Sequence, residues 1–490
     1  MLALALVAIF GLASYVATFL FNSYPYSMDE QSVMFQAGIF ADGALSRSAT
    51  PYSSIISETW VIVRDGKVFS KYPPALAALL AAPYWMGIPQ LLNPLLSTLT
   101  AFFVFRLTQF HFGARIAWII LAIVGTSPYF YPYAASFFPQ PLALSIATFC
   151  LLLVSQHIAR YSRMRCFLMG AAVGVLLLAR QLDAACLFVA LAGAICFASP
   201  RGQKVQALAA LCGGTLPGFL LLILYNYLQI GELSISAFPV WQRDFALAPA
   251  IGGGIWSTGQ KLISNFSTWF LTHTVKSFYV DLLPYVGVPL FSLFVVGLLT
   301  MRATVSRWAA FFILLVVCAY VMHPSAGWPQ YGQRYWYVCL GAFLLIVAQG
   351  VVTVQGWTSP RTRIVFYSIL FGTQLVTLVL RLSEFERRFE LQEAIWRDIS
   401  RVCPDRTIVV LKKPQRIDIE DIQFFVGSDF KRNSPPLGER FIVLEADDVL
   451  KLNDNFPSYP RCFYDFRGGD LRRKLPGFPP GDPLSSVRWW

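Results

Sequence analysis

The sequence predicts an all-α polytopic membrane protein of about eleven transmembrane helices, followed by a small α/β domain outside the membrane. Of the 490 residues, 56% are hydrophobic and only 13% are charged, whereas soluble domains are about one quarter charged. Apolar segments of membrane-spanning length recur as far as about residue 380. The composition then changes, because residues 381–490 hold 19 Lys/Arg and 18 Asp/Glu, against 20 and 9 in residues 1–380.

A bilayer core requires about 20 apolar residues per helix, and eleven segments approach that length. The first segment lacks the basic start and the small-residue cleavage site of a signal peptide, so we expect a retained anchor. The predicted spans are 2–21, 91–110, 115–131, 136–156, 166–180, 184–199, 205–227, 284–301, 308–323, 335–353 and 364–380.

Basic residues occupy five short connections between these spans, and none of those connections contains Asp or Glu. Basic residues concentrate in cytoplasmic loops, so this distribution predicts a multi-pass inner (plasma) membrane protein with a cytoplasmic N-terminus. It also accounts for the net charge of +12 without a nucleic-acid partner. The residues concerned are Arg106, Arg115, Arg160, Arg163, Arg165, Arg201, Lys204, Arg302, Arg307, Arg361 and Arg363.

The same topology places the long connections on the outer side, where we expect the functional site. They are a first loop (22–90), a second loop (228–283) and the tail. We therefore divide the chain into a membrane domain, 1–382, and an extracytoplasmic α/β domain, 383–490. The tail alternates short apolar runs with polar turns, as at 407–411 and 440–445. Its cysteines, Cys403 and Cys462, lie in a compartment that permits a disulfide, although their spacing does not establish one.

Two adjacent carboxylates, Asp29 and Glu30, follow 28 residues without any charge. Ser27 and Glu30 have the spacing of a capping box, which predicts a helix that starts here and runs to about Leu45. Its apolar positions would face lipid or the helix bundle. The cap does not explain Asp29. A carboxylate at the membrane boundary and near cations can act as a general base, so capping and catalysis both remain interpretations of this pair.

The sequence "GKVFSKYPPAL" (66–76) ends the first outer loop. Its two prolines stop any upstream helix and favour a new one downstream. Lys71 and Tyr72 would then lie at a helix N-terminus, which attracts anions. Alternatively, Lys71 anchors the chain at lipid headgroups and Tyr72 belongs to the aromatic belt.

Arg334 is the only charged residue between Arg307 and Arg361, at the outer end of a predicted span. An arginine there is costly unless an anion pairs with it, and its fork suits phosphate oxygens. Nearby aromatic residues, including Trp328 and Tyr331, would line a substrate site, and Arg243 in the second outer loop is a further candidate. Arg180 either binds the same phosphate or forms a local ion pair with Asp183, its neighbour three residues on.

Motifs for metal or nucleotide binding are absent from the sequence. There is no HExxH, no CxxC, and the glycines of "IGGGIWSTG" (251–259) lack the Lys-Ser/Thr of a phosphate-binding loop. No dedicated metal site is predicted. A divalent cation, Mg²⁺ or Mn²⁺, shared by Asp29, Glu30 and a substrate phosphate remains an open expectation.

Several of these stretches together resemble a known family. The chain resembles the membrane-embedded glycosyltransferases of GT-C fold, in particular the protein O-mannosyltransferases and the aminoarabinose transferases. The resemblance extends to about residue 380. It depends on the order of the stretches along the chain and on their shared predicted side of the membrane. They are "MDEQSVMFQAGIFADG" (28–43), "GKVFSKYPPALAALLA" (66–81), "NPLLSTLTAFFVFRL" (93–107), "YGQRYW" (331–336) and, more loosely, "LYNYLQIGELSISAF" (224–238).

The resemblance implies a hexosyl- or pentosyltransferase that takes its sugar from a polyprenyl phosphate on the outer face, with inversion at the anomeric carbon. It implies that Asp29 deprotonates an acceptor in the cell envelope, a glycan, lipid or protein. Lys71 and Arg334 would hold the lipid phosphate, with help from Tyr72. The chain departs from the family pattern where Tyr72 separates Lys71 from the prolines, and where Gln140 replaces a frequent histidine.

Two other classes of function fit parts of the sequence. A transporter or flippase of a lipid-linked glycan would place charges at mid-membrane and show repeated halves, and neither pattern is present. A scaffold that presents the tail to partners would leave the first-loop carboxylates and Arg334 unexplained. The sequence therefore favours the transferase, with the flippase as the alternative.

Overall fold

The computed structural model describes residues 1–25, 27–49, 61–237, 275, 277–321, 331, 333–402, 407–412, 441–445 and 461–465. Within that part the chain is predominantly helical. Seven helices are long and apolar enough to span a membrane, or eight if a bent pair near residue 287 is counted as one span. The protein is therefore a multi-pass membrane protein by the length and composition of its helices.

The N-terminal half begins with α1, Leu2–Tyr15, which continues as a π-helical turn, Val16–Leu20. It then contains α2 (Met28–Ala41), α3 (Ala75–Trp85), α4 (Leu92–Gly125), α5 (Phe130–Ala135), α6 (Gln140–Ala159), α7 (Arg163–Leu177), α8 (Gln181–Ala198) and α9 (Lys204–Ile230). Short 3₁₀ helices, Pro89–Leu91 and Arg201–Gln203, precede α4 and α9.

The C-terminal half begins with a π-helical segment, Ser277–Leu282, and then α10 (Leu283–Val286), α11 (Val288–Leu299) and α12 (Thr304–Val321). A 3₁₀ helix, Arg334–Cys339, leads into α13 (Leu340–Trp357), which is followed by α14 (Pro360–Val402). The outer helix pair 277–286 and 288–299 is bent by 102°. The bend is at Gly287, whose φ of +79° is favourable for glycine.

Helix α4 covers nearly all of one predicted span, 91–110, and the first part of another, 115–131, whose last residues lie in α5. A straight helix of 34 residues would be about 50 Å long and would exceed a bilayer core of about 30 Å. The helix is broken at Gly113, where φ is +80° and ψ is 170°. Each of the eleven predicted spans thus coincides with a helical segment, although only seven or eight meet the length and composition test.

Glycines allow two close helix contacts inside the bundle. A Cβ on Gly170 of α7 would collide with the carbonyl of Leu211 on α9, and one on Gly297 of α11 would collide with the carbonyl of Ile346 on α13. Small residues at such crossings are typical of membrane proteins, in which packing rather than hydrophobic burial drives helix association.

The first outer loop forms a small antiparallel sheet beside the bundle. Its strands are β1 (Arg47–Ser48), β2 (Val61–Arg64) and β3 (Lys67–Ser70), in the order β1-β3-β2. Val61 pairs with Ser70 and Val63 with Val68. Arg64 binds Glu232 beyond the end of α9, with 3.1 Å between Nη2 and Oε1. The sheet thus holds the residues before α3 against the bundle.

Helix α2 packs against α3. Val33, Met34 and Ala37 are buried there with Leu76 and Leu80, so the apolar face of α2 contacts the bundle. The helix ends at Ala41, four residues before the predicted end, because Gly43 adopts φ +74° and terminates it.

The tail contains three parallel strands, β4 (Thr407–Lys412), β5 (Phe441–Glu445) and β6 (Arg461–Asp465). Strand β4 is central and pairs with both others. The two predicted apolar runs are therefore strands. Helix α14 continues without a break across residue 383, and the division at that residue stays a prediction, as does the disulfide, because the side chains of Cys403 and Cys462 lie outside the described part of the chain.

Candidate active site

Ser27 and Glu30 form the predicted capping box at the start of α2. The Glu30 amide donates to Ser27 Oγ at 3.2 Å, and the Ser27 amide donates to Glu30 Oε2 at 2.9 Å. Glu30 Oε1 also accepts from the Phe137 amide at 2.7 Å, which connects α2 to the turn before α6. Both oxygens of Glu30 therefore serve backbone amides. Burial raises the pKa of Glu30 to about 7, although these hydrogen bonds oppose the rise.

Asp29 lies where three segments of the chain meet. Its Oδ1 accepts a 2.6 Å hydrogen bond from the Tyr72 hydroxyl, and its Oδ2 pairs with Arg334 Nη1 at 2.6 Å. Its side chain retains 18% of its exposure, so the carboxylate is accessible at one side. Burial raises the pKa of Asp29, but Arg334, Tyr72 and Lys71 outweigh it and the pKa is lowered overall. Asp29 is therefore a carboxylate at neutral pH.

Lys71 and Tyr72 are fixed in place by the residue before them. Ser70 bonds the Ser32 hydroxyl at 2.6 Å, donates its amide to Gln36 Oε1 at 2.9 Å, and accepts the Tyr72 amide at 3.1 Å. The prolines then start α3, as predicted. Tyr72, which separates Lys71 from the prolines, thereby reaches Asp29 with its hydroxyl.

The Lys71 side chain is also held inside the site. Only 5% of the residue is exposed, and its Nζ lies 5.3 Å from the centre of the Tyr72 ring. Burial lowers the pKa of Lys71 to about 6, against the opposing effect of Asp29, while Arg334 lowers it further. Lys71 therefore titrates near neutral pH, and a bound anion would favour its charged form.

Arg334 faces Asp29 because its neighbours fix the 3₁₀ helix that carries it. The Gln333 amide donates to the Asp281 carbonyl at 3.1 Å, and the Tyr129 hydroxyl donates to the Gln333 carbonyl. The guanidinium lies 5.1 Å from the Tyr335 ring centre and 5.8 Å from that of Phe138. Its Nε is buried without a hydrogen-bond partner among the described residues. Arg334 thus keeps one hydrogen-bond donor that no described residue satisfies.

Arg180 forms the local pair with Asp183 that the sequence allowed. Its Nε contacts Asp183 Oδ2, and its Nη2 donates to the Tyr320 hydroxyl at 2.8 Å. The Tyr320 hydroxyl donates in turn to Asp183 Oδ1 at 2.6 Å. Arg180 lies 5.8 Å from the ring of Tyr335, which also contacts Arg334. The structure thus places Arg180 one aromatic ring away from the Asp29 site, and its phosphate-binding role stays a prediction.

Of the three predicted substrate-lining residues, only Tyr331 belongs to the part of the chain that the structure describes. Tyr331 is only 1% exposed, and it packs on Phe21, Phe138 and Phe385 with ring centres 5.2–5.8 Å apart. Its location favours a packing role. Trp328 and Arg243 lie outside the described residues.

An apolar cavity of about 400 Å³ lies beside the 3₁₀ helix that carries Arg334. The segments that enclose it are 275–286, α11, α12 and the start of α13, and the residues that line it include Tyr129, Phe278, Val286, Ile313, Trp336 and Leu340. The 3₁₀ helix therefore contributes Arg334 to the polar site and Trp336 to the cavity. This volume is within the usual range of ligand pockets.

Sequence reasoning missed Tyr320 and Phe138, both of which contact the arginines of the site. No motif surrounds either residue, because each is simply one aromatic among many in an apolar segment. In the part of the chain that the structure describes, no group of three or more His, Cys, Asp or Glu side chains is arranged to hold a metal ion.

The fold can be compared with solved structures. The chain aligns with the crystal structure of ArnT from Cupriavidus metallidurans bound to undecaprenyl phosphate, with a TM-score of 0.52, 13% identity, and coverage of 94% of this chain and 92% of ArnT. The apo state of the same protein aligns with a TM-score of 0.50 and 14% identity, over 94% and 93% of the two chains. No protein-family model and no curated protein sequence matches the chain.

The alignment covers nearly the whole of both chains, which shows that this protein has the GT-C fold of ArnT. The fold predicted from the short motifs is thereby confirmed. The low sequence identity restricts the comparison to the fold, so the activity has to be argued from the site.

Proposed function

We propose that this protein is an integral-membrane glycosyltransferase that moves a sugar from a polyprenyl-phosphate donor to an envelope acceptor on the outer face. The observation that carries the proposal is the Asp29 carboxylate, held between Tyr72 and Arg334 with Lys71 beside them. An ionised carboxylate next to two basic side chains matches a reaction that removes a proton and releases a phosphate. The similarity in fold between this protein and an ArnT structure bound to undecaprenyl phosphate supports a polyprenyl-phosphate donor.

The reaction is a single displacement with inversion. Asp29 takes the proton of the acceptor hydroxyl as its oxygen attacks the anomeric carbon, and the bond between that carbon and the phosphate oxygen breaks. The electron pair of that bond leaves with the polyprenyl phosphate. The Arg334 fork and the Lys71 ammonium stabilise the developing charge, because both are fixed before the reaction starts. The Tyr72 hydroxyl keeps the Asp29 carboxylate oriented.

The apolar cavity suits the chain of the donor lipid. It lies on the side of the 3₁₀ helix that presents Trp336 and Cys339, while Arg334 lies on the same helix. A polyprenyl phosphate has the same division between an anionic head and an apolar tail. Tyr279, which lines the cavity and is exposed, marks where a lipid would enter from the bilayer.

A divalent cation shared with the donor phosphate stays a prediction. The carboxylate oxygens of Asp29 and Glu30 all accept hydrogen bonds from protein groups. Cation ligands are oxygens that face an open position, so these residues fit such an ion poorly. The proposed mechanism therefore uses only the side chains of the protein.

The proposal includes a specific topology. Among the described residues, dividing α4 at Gly113 and counting the bent pair, α7 and α12 as spans gives eleven crossings. With an odd number the two termini lie on opposite sides, and the basic connections favour the cytoplasm for the N-terminus and the outside for the domain from residue 383. The Asp29 site then opens to the outer face, where a lipid-linked sugar and an envelope acceptor meet.

The test separates transfer from transport. Protein reconstituted in nanodiscs is incubated with a panel of radiolabelled polyprenyl-phosphate sugars and an envelope extract. We expect free polyprenyl phosphate and labelled acceptor in equal amounts, and no transfer from nucleotide sugars. Movement of an intact lipid-linked glycan across proteoliposome membranes, with no cleavage of the sugar-phosphate bond, would instead identify a flippase.

A further inference from the structure

A stack of two tyrosine rings adjoins Arg334 through Tyr335. Tyr320, at the end of α12, and Tyr335, in the 3₁₀ helix, stack with ring centres 4.4 Å apart and an interplanar angle of 7°. Offset-stacked rings are a favourable arrangement of an aromatic pair. The stack connects α12 to the 3₁₀ helix that carries Arg334.

Tyr320 is fixed by the second ion pair of the outer face. Its hydroxyl donates to Asp183 and accepts from Arg180, at 2.6 Å and 2.8 Å. Because Arg180 and Asp183 also contact each other, the three side chains form a closed set anchored at the start of α8. The Tyr320 ring consequently has little freedom to turn away from Tyr335.

Tyr335 in turn contacts Arg334 in two ways. The guanidinium lies 5.1 Å from its ring centre, and Arg334 Nη2 donates to its hydroxyl at 3.3 Å. The Tyr335 amide donates to Gln333 Oε1 at 3.3 Å, which holds the backbone of the same turn. A cation over an aromatic face is attracted to it, more strongly when water is excluded.

We infer that Tyr335, supported by Tyr320, is a positioning residue that holds the Arg334 guanidinium against the Asp29 carboxylate. It acts through Arg334 and does not reach the reacting atoms. The inference rests on the proposed function only in treating Asp29 as the base. The contact between Arg334 and Asp29 can be measured without any reaction.

The charge state of Asp29 reports this contact. The charged and titratable groups that face Asp29 are Arg334, Lys71, Tyr72 and the adjacent Glu30. Burial raises the pKa of Asp29, and Arg334 is the largest of the effects that lower it. If the guanidinium moves away, burial predominates and the pKa of Asp29 increases. A residue that only filled space would leave this pKa unchanged in the folded protein.

The experiment titrates Asp29 directly in Tyr335→Leu. Infrared spectra of protein labelled with ¹³C-aspartate are recorded against pH, and the Asp29 band is assigned by its loss in Asp29→Asn. We expect the titration to move upward by about one pH unit, the lower end of what an opposite charge produces. Tyr335→Phe keeps the ring and should shift by less than half as much. The acid limb of the kcat/KM profile should move with the infrared titration.

A matched control and a second variant complete the test. Tyr367 is another half-buried tyrosine with one hydrogen-bond partner, Gln355, far from the site, so Tyr367→Leu should titrate as wild type. If Tyr335→Leu does not fold, Tyr320→Leu takes its place. This variant removes the ring that stacks on Tyr335 and should give the same upward shift of the Asp29 pKa. A wild-type Asp29 titration in the folded leucine variant would overturn the inference. Absence of any transfer by the wild type would instead overturn the proposed function, leaving the infrared result intact.

Discussion

The described residues include two buried arginine–aspartate pairs, and their construction differs. Arg180 and Asp183 are three residues apart, and the Asp183 side chain is 0% exposed with Tyr320 closing the set. Arg334 and Asp29 are 305 residues apart, retain 14% and 18% exposure, and leave Arg334 Nε without a partner in the described chain. The closed local pair, Arg180 and Asp183, is suited to holding the structure in place. The open pair, Arg334 and Asp29, joins distant segments and is suited to a site that must accept a ligand.

The largest expected effect comes from removing the charge of the open pair. Asp29→Asn should lower kcat by about 10²–10⁴-fold, the usual contribution of a general base. Asparagine keeps the shape of the side chain, and its single carbonyl oxygen can accept from either Tyr72 or Arg334, so the protein should fold. Turnover is measured with a polyprenyl-phosphate sugar, and folding by size-exclusion chromatography and thermal unfolding.

Asp42→Asn is the matched control for this variant. Asp42 follows the same helix and also pairs with an arginine, Arg47, but its side chain is 63% exposed. It should behave as wild type. Full turnover by purified Asp29→Asn would remove Asp29 from the reaction.

The closed pair should show the opposite pattern. Asp183→Asn should cost about 3–5 kcal/mol of stability, the range for breaking one partner of a buried ion pair. The remaining folded protein should lose less than tenfold in kcat, since Asp183 acts only through Tyr320. Chemical unfolding in detergent measures the stability. Turnover per active site, with the sites counted by titration, measures kcat. A kcat loss equal to that of Asp29→Asn, without loss of stability, would contradict the division between the pairs.

The smallest effect is a pH dependence of lipid binding at the open site. Burial lowers the pKa of Lys71 to about 6, so its amine is mostly neutral above pH 7 when the site holds no anion. Bound phosphate favours the ammonium form, and binding therefore takes up a proton. The Kd for polyprenyl phosphate should rise by up to about tenfold per unit between pH 7 and 8.5.

Lys71→Met separates this effect from titration of the lipid. The second phosphate pKa is about 6, so the lipid is already ionised in this range. The variant should bind more weakly at pH 7 and show a flat profile. A wild-type profile without slope would mean that Lys71 does not meet the phosphate.

Sequence signals that act over a few residues predicted the local backbone structure well. The capping box at Ser27 and the helix after Pro74 follow from backbone hydrogen bonding and proline geometry, which depend only on neighbouring residues. Hydrophobic length likewise located the helical segments. Helix α14 continues beyond the predicted span because Arg381 and Glu384 begin a charged helical continuation, bonded at 2.7 Å.

The contacts of the site depend on segments far apart in sequence. The predicted membrane topology put Asp29, Lys71 and Arg334 on the same side of the membrane, but it did not determine which of their atoms are in contact. The hydrogen bond from Tyr72 to Asp29 requires the fold of β3 and the proline turn together. The stack of Tyr320 on Tyr335 joins α12 to the 3₁₀ helix, and no feature of the apolar sequence around Tyr320 distinguishes that ring.

The most direct test of the central claim is a cryo-electron microscopy structure with bound polyprenyl phosphate. The account predicts phosphate density within hydrogen-bond distance of Arg334 and Lys71, the lipid chain in the cavity beside Trp336, and Asp29 facing the anomeric position. Phosphate density away from both basic side chains, with the cleft beside Asp29 vacant, would contradict it.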